Sequence, residues 1–221
     1  MKKMIAIIIV LLIIFISMAI YKYVIVVNNQ IKIEDVNKIE EYISKIYCWK
    51  EVTDEALPKF NSINEAPEKW VWEVVKKNSE EYELSYDQIK NKQTELFGEK
   101  LTKEYPKEGT EIFKYNKEDN KYIASETQTD ENDDNFFVNK IAKIKNGYEV
   151  EILEYLEDYS KYEQNEVLVK NLKEEIIATL DTNEVERKTI EVLKNNMEKF
   201  TTKKITLKYK NEQIYVEKVE G

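Results

Sequence analysis

Carboxylates are the side chains of this 221-residue chain that could do chemistry, and they crowd one stretch, Ser125 to Asn135. It holds Glu126, Asp130, Glu131, Asp133 and Asp134 and no basic residue. Oxygen-rich loops bind calcium, and Asp130, Asn132 and Asp134 have the alternate spacing of the first three ligands of an EF-hand loop. The rest of that pattern is missing. Asn135 stands where a glycine is required, and Ile141 where a bidentate glutamate is required. A solvated loop between strands accounts for the same acids.

Paired carboxylates could also hydrolyse a glycosidic bond, one as acid and the other as base or nucleophile. Glu149 and Glu151 share one strand face, as do Glu154 and Asp158 if the strand runs on. With 43 acidic residues such pairs arise by number alone. A wet sheet face is the simpler expectation for both.

Other chemistries are excluded by what the chain lacks. There is no histidine, so no Ser-His-Asp triad, no Cys-His pair and no histidine-ligated zinc. The single cysteine, Cys48, permits no internal disulfide and has no imidazole to activate it. A small buried apolar role suits it better. The four glycines form no phosphate loop, which argues against nucleotide binding and leaves no cofactor implied. Net charge is −9 and Arg187 is the only arginine, so a nucleic-acid footprint is absent.

Aromatic residues offer a different kind of site. Trp70 and Trp72 flank Val71, Trp49 follows Cys48, and there are 15 tyrosines. Exposed rings stack on sugars and peptides. Two residues apart on a helix is about 200°, however, so at least one of Trp70 and Trp72 should face the core.

The strongest positional signal is apolar. Met4 to Ile20 is interrupted only by Ser17, and Val24 to Val27 extends the run beyond Tyr21-Lys22-Tyr23. As a helix, residues 4–27 would measure roughly 36 Å, enough to cross a ~30 Å hydrocarbon core. Ser17-Met18-Ala19 resembles a signal-peptidase site near Ala19, but the apolar run continues past it, so an uncleaved anchor is expected. Lys2 and Lys3 favour a cytoplasmic amino terminus and a carboxyl-terminal domain outside the cell. The lipid bilayer is thus the expected partner of residues 4–27.

Beyond the anchor, hydrophobic periodicity predicts helices first and strands later. Residues 34–48 place Val36, Ile39, Ile43, Ile46 and Tyr47 on one stripe. A second helix is expected from Pro67 to Lys77. Ser85 to Phe97 carries a capping box through Gln88 and a left-handed stop at Gly98. Residues 111–115 and 121–124 read as a hairpin, and 136–145 with 148–156 as another around Asn146-Gly147. Residues 136–145 and 166–180 also fit helices. A helix capped by Thr182 is expected to run to Phe200, followed by a hairpin of 205–209 with 214–216.

Segregated helices and strands predict an α+β fold with helices packed on an antiparallel sheet. The domain division expected is 1–27 anchor, 28–160 helices then hairpins, and 161–221 helix plus closing hairpin, the last in the same domain or a small second one. The element order is similar to the cone-shaped NTF2-like domains, a likeness of layout that implies no function. Excess lysine, isoleucine, asparagine and glutamate suggests an A/T-rich bacterial genome. These features together predict a single-pass, extracytoplasmic and non-enzymatic module that binds an envelope protein or assembles with one. The alternatives are a carboxylate-dependent cell-wall glycosidase and a sensor ectodomain.

Overall fold

A computed structural model describes residues 31–98, 101–102, 108–125, 132–210 and 213–221. The apolar stretch 4–27, with Ala19, lies outside these residues. Among the described residues, no helix is long and apolar enough to cross a membrane.

The fold is α+β, with helices packed against antiparallel sheets. Helix α1 (Ile33–Ile46) has the predicted stripe, burying Val36, Ile39, Tyr42, Ile43 and Ile46. A short turn of helix, α2 (Lys50–Thr53), follows and was not foreseen. Helix α3 (Glu68–Lys77) starts one residue later than expected, with Pro67 at the cap. Trp70 and Trp72 are both buried, and the Trp70 indole donates to the carbonyls of Ile46 at 3.1 Å and Ala56 at 3.2 Å. Those bonds tie α3 to the chain on either side of α2.

Strand β1 (Glu83–Ser85) leads directly into α4 (Tyr86–Phe97). The capping box forms as the residue types require: Gln88 N–H donates to Ser85 Oγ at 3.3 Å, and Ser85 N–H to Gln88 Oε1 at 2.8 Å. Gly98 ends the helix with φ at 73°, a region that favours glycine. The predicted first hairpin is present as β2 (Phe113–Asn116) and β3 (Lys121–Ala124), and β1 joins it to make a small sheet in the order β1-β3-β2.

The main sheet is built on β5 (Gly147–Asp158). Strand β4 (Asn132–Ile144) pairs with it along its whole length. The other edge of β5 is shared. Its residues up to Glu154 pair with β8 (Thr201–Lys210), and those from Leu156 pair with β6 (Glu166–Lys170). Strands β7 (Ile176–Asp181) and β9 (Gln213–Glu220) complete the order β7-β6-β5-β8-β9.

Residues 136–144 are therefore strand, the arm of the expected hairpin, rather than helix. Their helix-like spacing has a specific cause, a bulge between Val138 and Lys140. The extra residue moves the next core-facing side chain from position 140 to Ile141, which imitates a three-residue helical step. Residues 166–180 resolve into β6 and β7. The turn between them is organised by Asn171, whose Oδ1 accepts the N–H groups of Lys173 and Glu175, each at 3.0 Å.

Two further expectations are corrected. The helix α5 (Val185–Asn195) is shorter than 182–200, and Thr182 does not cap it. The Thr182 N–H instead donates to Asn165 O at 3.1 Å, and Glu184 occupies the cap position. The turn between β4 and β5 comprises Lys145 and Asn146, and Gly147 already belongs to β5. A β-carbon on Gly147 would lie 1.9 Å from Leu207 O, so the close approach of β8 requires glycine there.

Helices pack on both faces of the main sheet. Tyr148, Val150 and Ile152 pack with α1, α3 and α4 in the larger core. Leu153 packs on the opposite side with Val185 and Leu193 of α5, together with Phe137, Val167 and Val169.

Candidate functional site

Two places in the fold bring polar side chains together. The first is the point where β5 exchanges one partner strand for another. Glu154 is paired across from Thr201 at the end of the β8 register, on the core-facing side with Ile152 and Leu156. It is 1 % exposed. Asp134 lies nearby on β4, opposite Leu156, and accepts the Lys50 backbone N–H at 2.5 Å. Lys203 on β8 is buried and reaches Glu55 at 2.9 Å. The Tyr47 hydroxyl donates to Asn135 O at 3.1 Å.

Burial pushes the Glu154 carboxyl up to about 7. The Lys203 ammonium and a hydrogen bond from Tyr47 oppose that shift, and the charges of Glu55 and Asp134 reinforce it. Its Oε2 is buried without a hydrogen-bond partner. Further along the same face, Asp158 is held below its usual range by the Lys170 ammonium and by Ser160, against the opposing effect of burial.

The expectation of a wet face for Glu154 and Asp158 is thus overturned. The strand does run on to Asp158, but both carboxylates turn toward the interior. Alternation along β5 places them in register with Tyr148, Val150 and Ile152 rather than with Glu149 and Glu151. The solvated-loop expectation for Ser125 to Asn135 is corrected in part, because residues 132–135 belong to β4. Asp134 is buried on that strand, Asn132 stands two positions before it, and Asp130 lies outside the described residues. Among the described residues, no group of three or more acidic or cysteine side chains could hold a metal ion.

Cys48 is buried beside these elements, and burial pushes its thiol up to about 12. A thiol with that pKa is inert at neutral pH.

The second place is a groove of about 1030 Å³ between α4 and the β8–β9 hairpin. Asn91, Thr94 and Glu95 line it from α4, and Asn61 and Ser62 from the segment before α3. Tyr209, Lys208 and Lys210 contribute from β8, with Gln213, Tyr215 and Glu217 from β9. Glu154, Asp134 and Lys203 are not among its walls.

Tyr42 sets the groove's width. From the middle of α1 its hydroxyl donates to Leu96 O at 2.9 Å and accepts from the Val216 N–H at 2.9 Å. One buried phenol thus connects the last turn of α4 to β9. The Tyr215 ring lies against the helix end at Gly98, where a β-carbon would meet it at an ordinary contact distance of 3.4 Å. Tyr209 remains 43 % exposed at the rim.

The sequence reading did not identify this groove. The signals were present in Asn91 and Thr94, three positions apart on one helix face, and in Tyr209 and Tyr215 of the closing hairpin. Only the packing of α4 beside β9 brings them together. No family model matches the chain, and no curated protein or solved structure is similar to it.

Proposed function

We propose that the chain is a membrane-anchored, extracytoplasmic binding module that holds another component of the cell envelope in the groove between α4 and the β8–β9 hairpin. The groove itself carries this reading: it is about 1030 Å³, lined by amides, hydroxyls and phenols together with two lysines and two glutamates, and separate from the buried Glu154 and Asp134. Its volume is at the upper end of the ~300–1,000 Å³ typical of ligand sites. Residues 4–27 supply a span of suitable length, and Lys2 and Lys3 favour an amino terminus in the cytoplasm. Helices followed by a sheet also fit the NTF2-like cone in outline, a likeness that implies no activity.

The glycosidase alternative draws support from one observation, the raised pKa of Glu154 with Asp134 nearby. Against it, Glu154 is 1 % exposed, and the groove described above does not reach it. A general acid must contact the leaving oxygen, so the binding reading accounts for more of the molecule.

Topology and binding are tested separately. In a Cys48→Ser background, Glu118→Cys puts a thiol in the exposed turn between β2 and β3. A membrane-impermeant maleimide should label it in intact cells, and labelling only after lysis would overturn the extracytoplasmic placement. A photocrosslinking side chain at Asn91 should form adducts in cells, while the same group at exposed Glu191 on α5 should not. Equal yields at both positions, or none at Asn91, would remove the groove as the binding face.

A further inference from the structure

We propose that the groove takes a neutral, polyhydroxylated ligand, namely a stretch of glycan chain. The proposal rests on reading the groove as the binding face, and it follows from the charge, hydrogen-bonding character and ring placement of the walls.

Charge comes first. Glu217 is paired with Lys208 at 3.1 Å, and Glu95 with Lys92 at 2.8 Å, so the two groove carboxylates are each met by a lysine of the protein itself. Phosphate-rich or nucleic-acid chains are recognised by guanidinium forks and by clusters of cations; among the described residues these walls hold no arginine and two lysines, Lys210 and the Glu217-paired Lys208.

The hydrogen-bonding groups suit hydroxyls. Asn61 and Asn91 each carry a donor and an acceptor on one planar amide. A sugar hydroxyl likewise donates and accepts, so neighbouring hydroxyls can be met in both senses by one amide. Gln213 is held in place, because the Tyr215 hydroxyl donates to its Oε1 and leaves the amide N–H groups as its donor end. Thr94 adds a hydroxyl acceptor on the facing wall, its proton being donated to Lys90 O at 3.0 Å.

The rings complete the match. Tyr209 is 43 % exposed, and Tyr215 is half-buried with its ring braced over Gly98. Apolar C–H faces of sugar rings pack on aromatic faces, while the phenol oxygens remain available to hydroxyls. A groove of about 1030 Å³ exceeds the needs of one monosaccharide and suits an oligomer.

The test uses the full chain in detergent micelles, titrated by calorimetry with two neutral oligomers, tetrameric β-1,4-N-acetylglucosamine and tetrameric β-1,4-glucose, and with polyphosphate as the anionic comparator. Saturable binding of a neutral oligomer is expected, weakened at least tenfold by Tyr209→Ala and by Gln213→Ala. Tyr162→Ala, which alters an exposed ring away from the groove, should leave it unchanged. Binding of neither neutral oligomer, a preference for polyphosphate, or indifference to both groove variants would each overturn the glycan assignment. The Asn91 crosslink separates the two levels of the argument. Adducts that form in cells and resist competition by both neutral oligomers would overturn the ligand class while leaving the groove as the binding face. Absence of adducts would overturn both.

Discussion

The Val216 backbone N–H donates to the Tyr42 hydroxyl at 2.9 Å, across 174 positions of sequence. That hydroxyl in turn donates to Leu96 O, so one buried side chain on α1 spaces both walls of the groove. Tyr42→Phe would keep the ring and remove the oxygen, leaving the Val216 N–H and the Leu96 carbonyl buried without it. The expected loss is about 1–3 kcal/mol in urea unfolding. If Tyr42 sets the spacing of the groove, the variant should also weaken ligand binding in proportion more than Ser85→Ala does.

Ser85→Ala tests the other end of α4. It removes the acceptor for Gln88 N–H and disrupts the capping box. A destabilisation of about 1 kcal/mol is expected from denaturant melts. A change below a few tenths would mean that tertiary packing alone holds the start of the helix.

Glu154 makes stability depend on pH. Its folded pKa, about 7, lies above the usual 4.5, because burial disfavours the charged form. The neutral carboxyl's contribution is therefore fully present below about pH 4.5 and is lost as pH rises through 7. A shift of that size corresponds to about 3 kcal/mol between the two limits. Lys203, Tyr47, Glu55 and Asp134 are the groups that face it and set the value. Glu154→Gln should flatten this part of the pH profile and stabilise the chain at pH 8 relative to the wild type. Parallel melting curves for the two proteins between pH 5 and 8 would contradict the assignment.

Gly147→Ala should be among the most damaging single-methyl changes. The added carbon would sit 1.9 Å from Leu207 O, a backbone atom of the paired strand that cannot rotate away. At least about 2 kcal/mol is expected, read as a lowered denaturation midpoint. Near-normal stability would show that the β5–β8 pairing yields at its end.

Cys48 should resist alkylation. With the thiol buried and its pKa pushed up to about 12, iodoacetamide at pH 8 should modify it only in denaturant. Rapid reaction of the native protein would place this region in frequent local opening.

Local features of this fold were legible wherever one segment carries its own signal. The α1 stripe, the Ser85–Gln88 box, the stop at Gly98 and the alternation of Tyr148, Val150 and Ile152 all depend on neighbours within a few residues. Those elements form where the residues indicate. Cys48 was legible for a similar reason, since a lone thiol without histidine has little else to do but pack.

The remainder was decided by contacts between distant segments. The bulge at Asn139 gave the first arm of the expected Asn146-Gly147 hairpin a spacing that also fits a helix, and pairing with β5 decides for the strand. Glu154 and Asp158 looked like outward charges because of their residue type, although alternation already puts them on the face of Tyr148, Val150 and Ile152. With α1, α3 and α4 on one side and α5 over Leu153 on the other, helices pack on both faces of β5, and Glu154 lies where β8 gives way to β6. The groove was invisible for the same reason. Asn91, Tyr209 and Gln213 belong to segments that say nothing of one another until α4 packs beside β9. Sequence alone determined elements that carry their own signal, such as α1, α4 and the hairpin around Asn146-Gly147, and excluded histidine-dependent chemistries, because residue type and short-range periodicity act locally. Tertiary structure alone decided which carboxylate is buried and which side chains share a groove, because both depend on the packing of elements as far apart as α1 and β9.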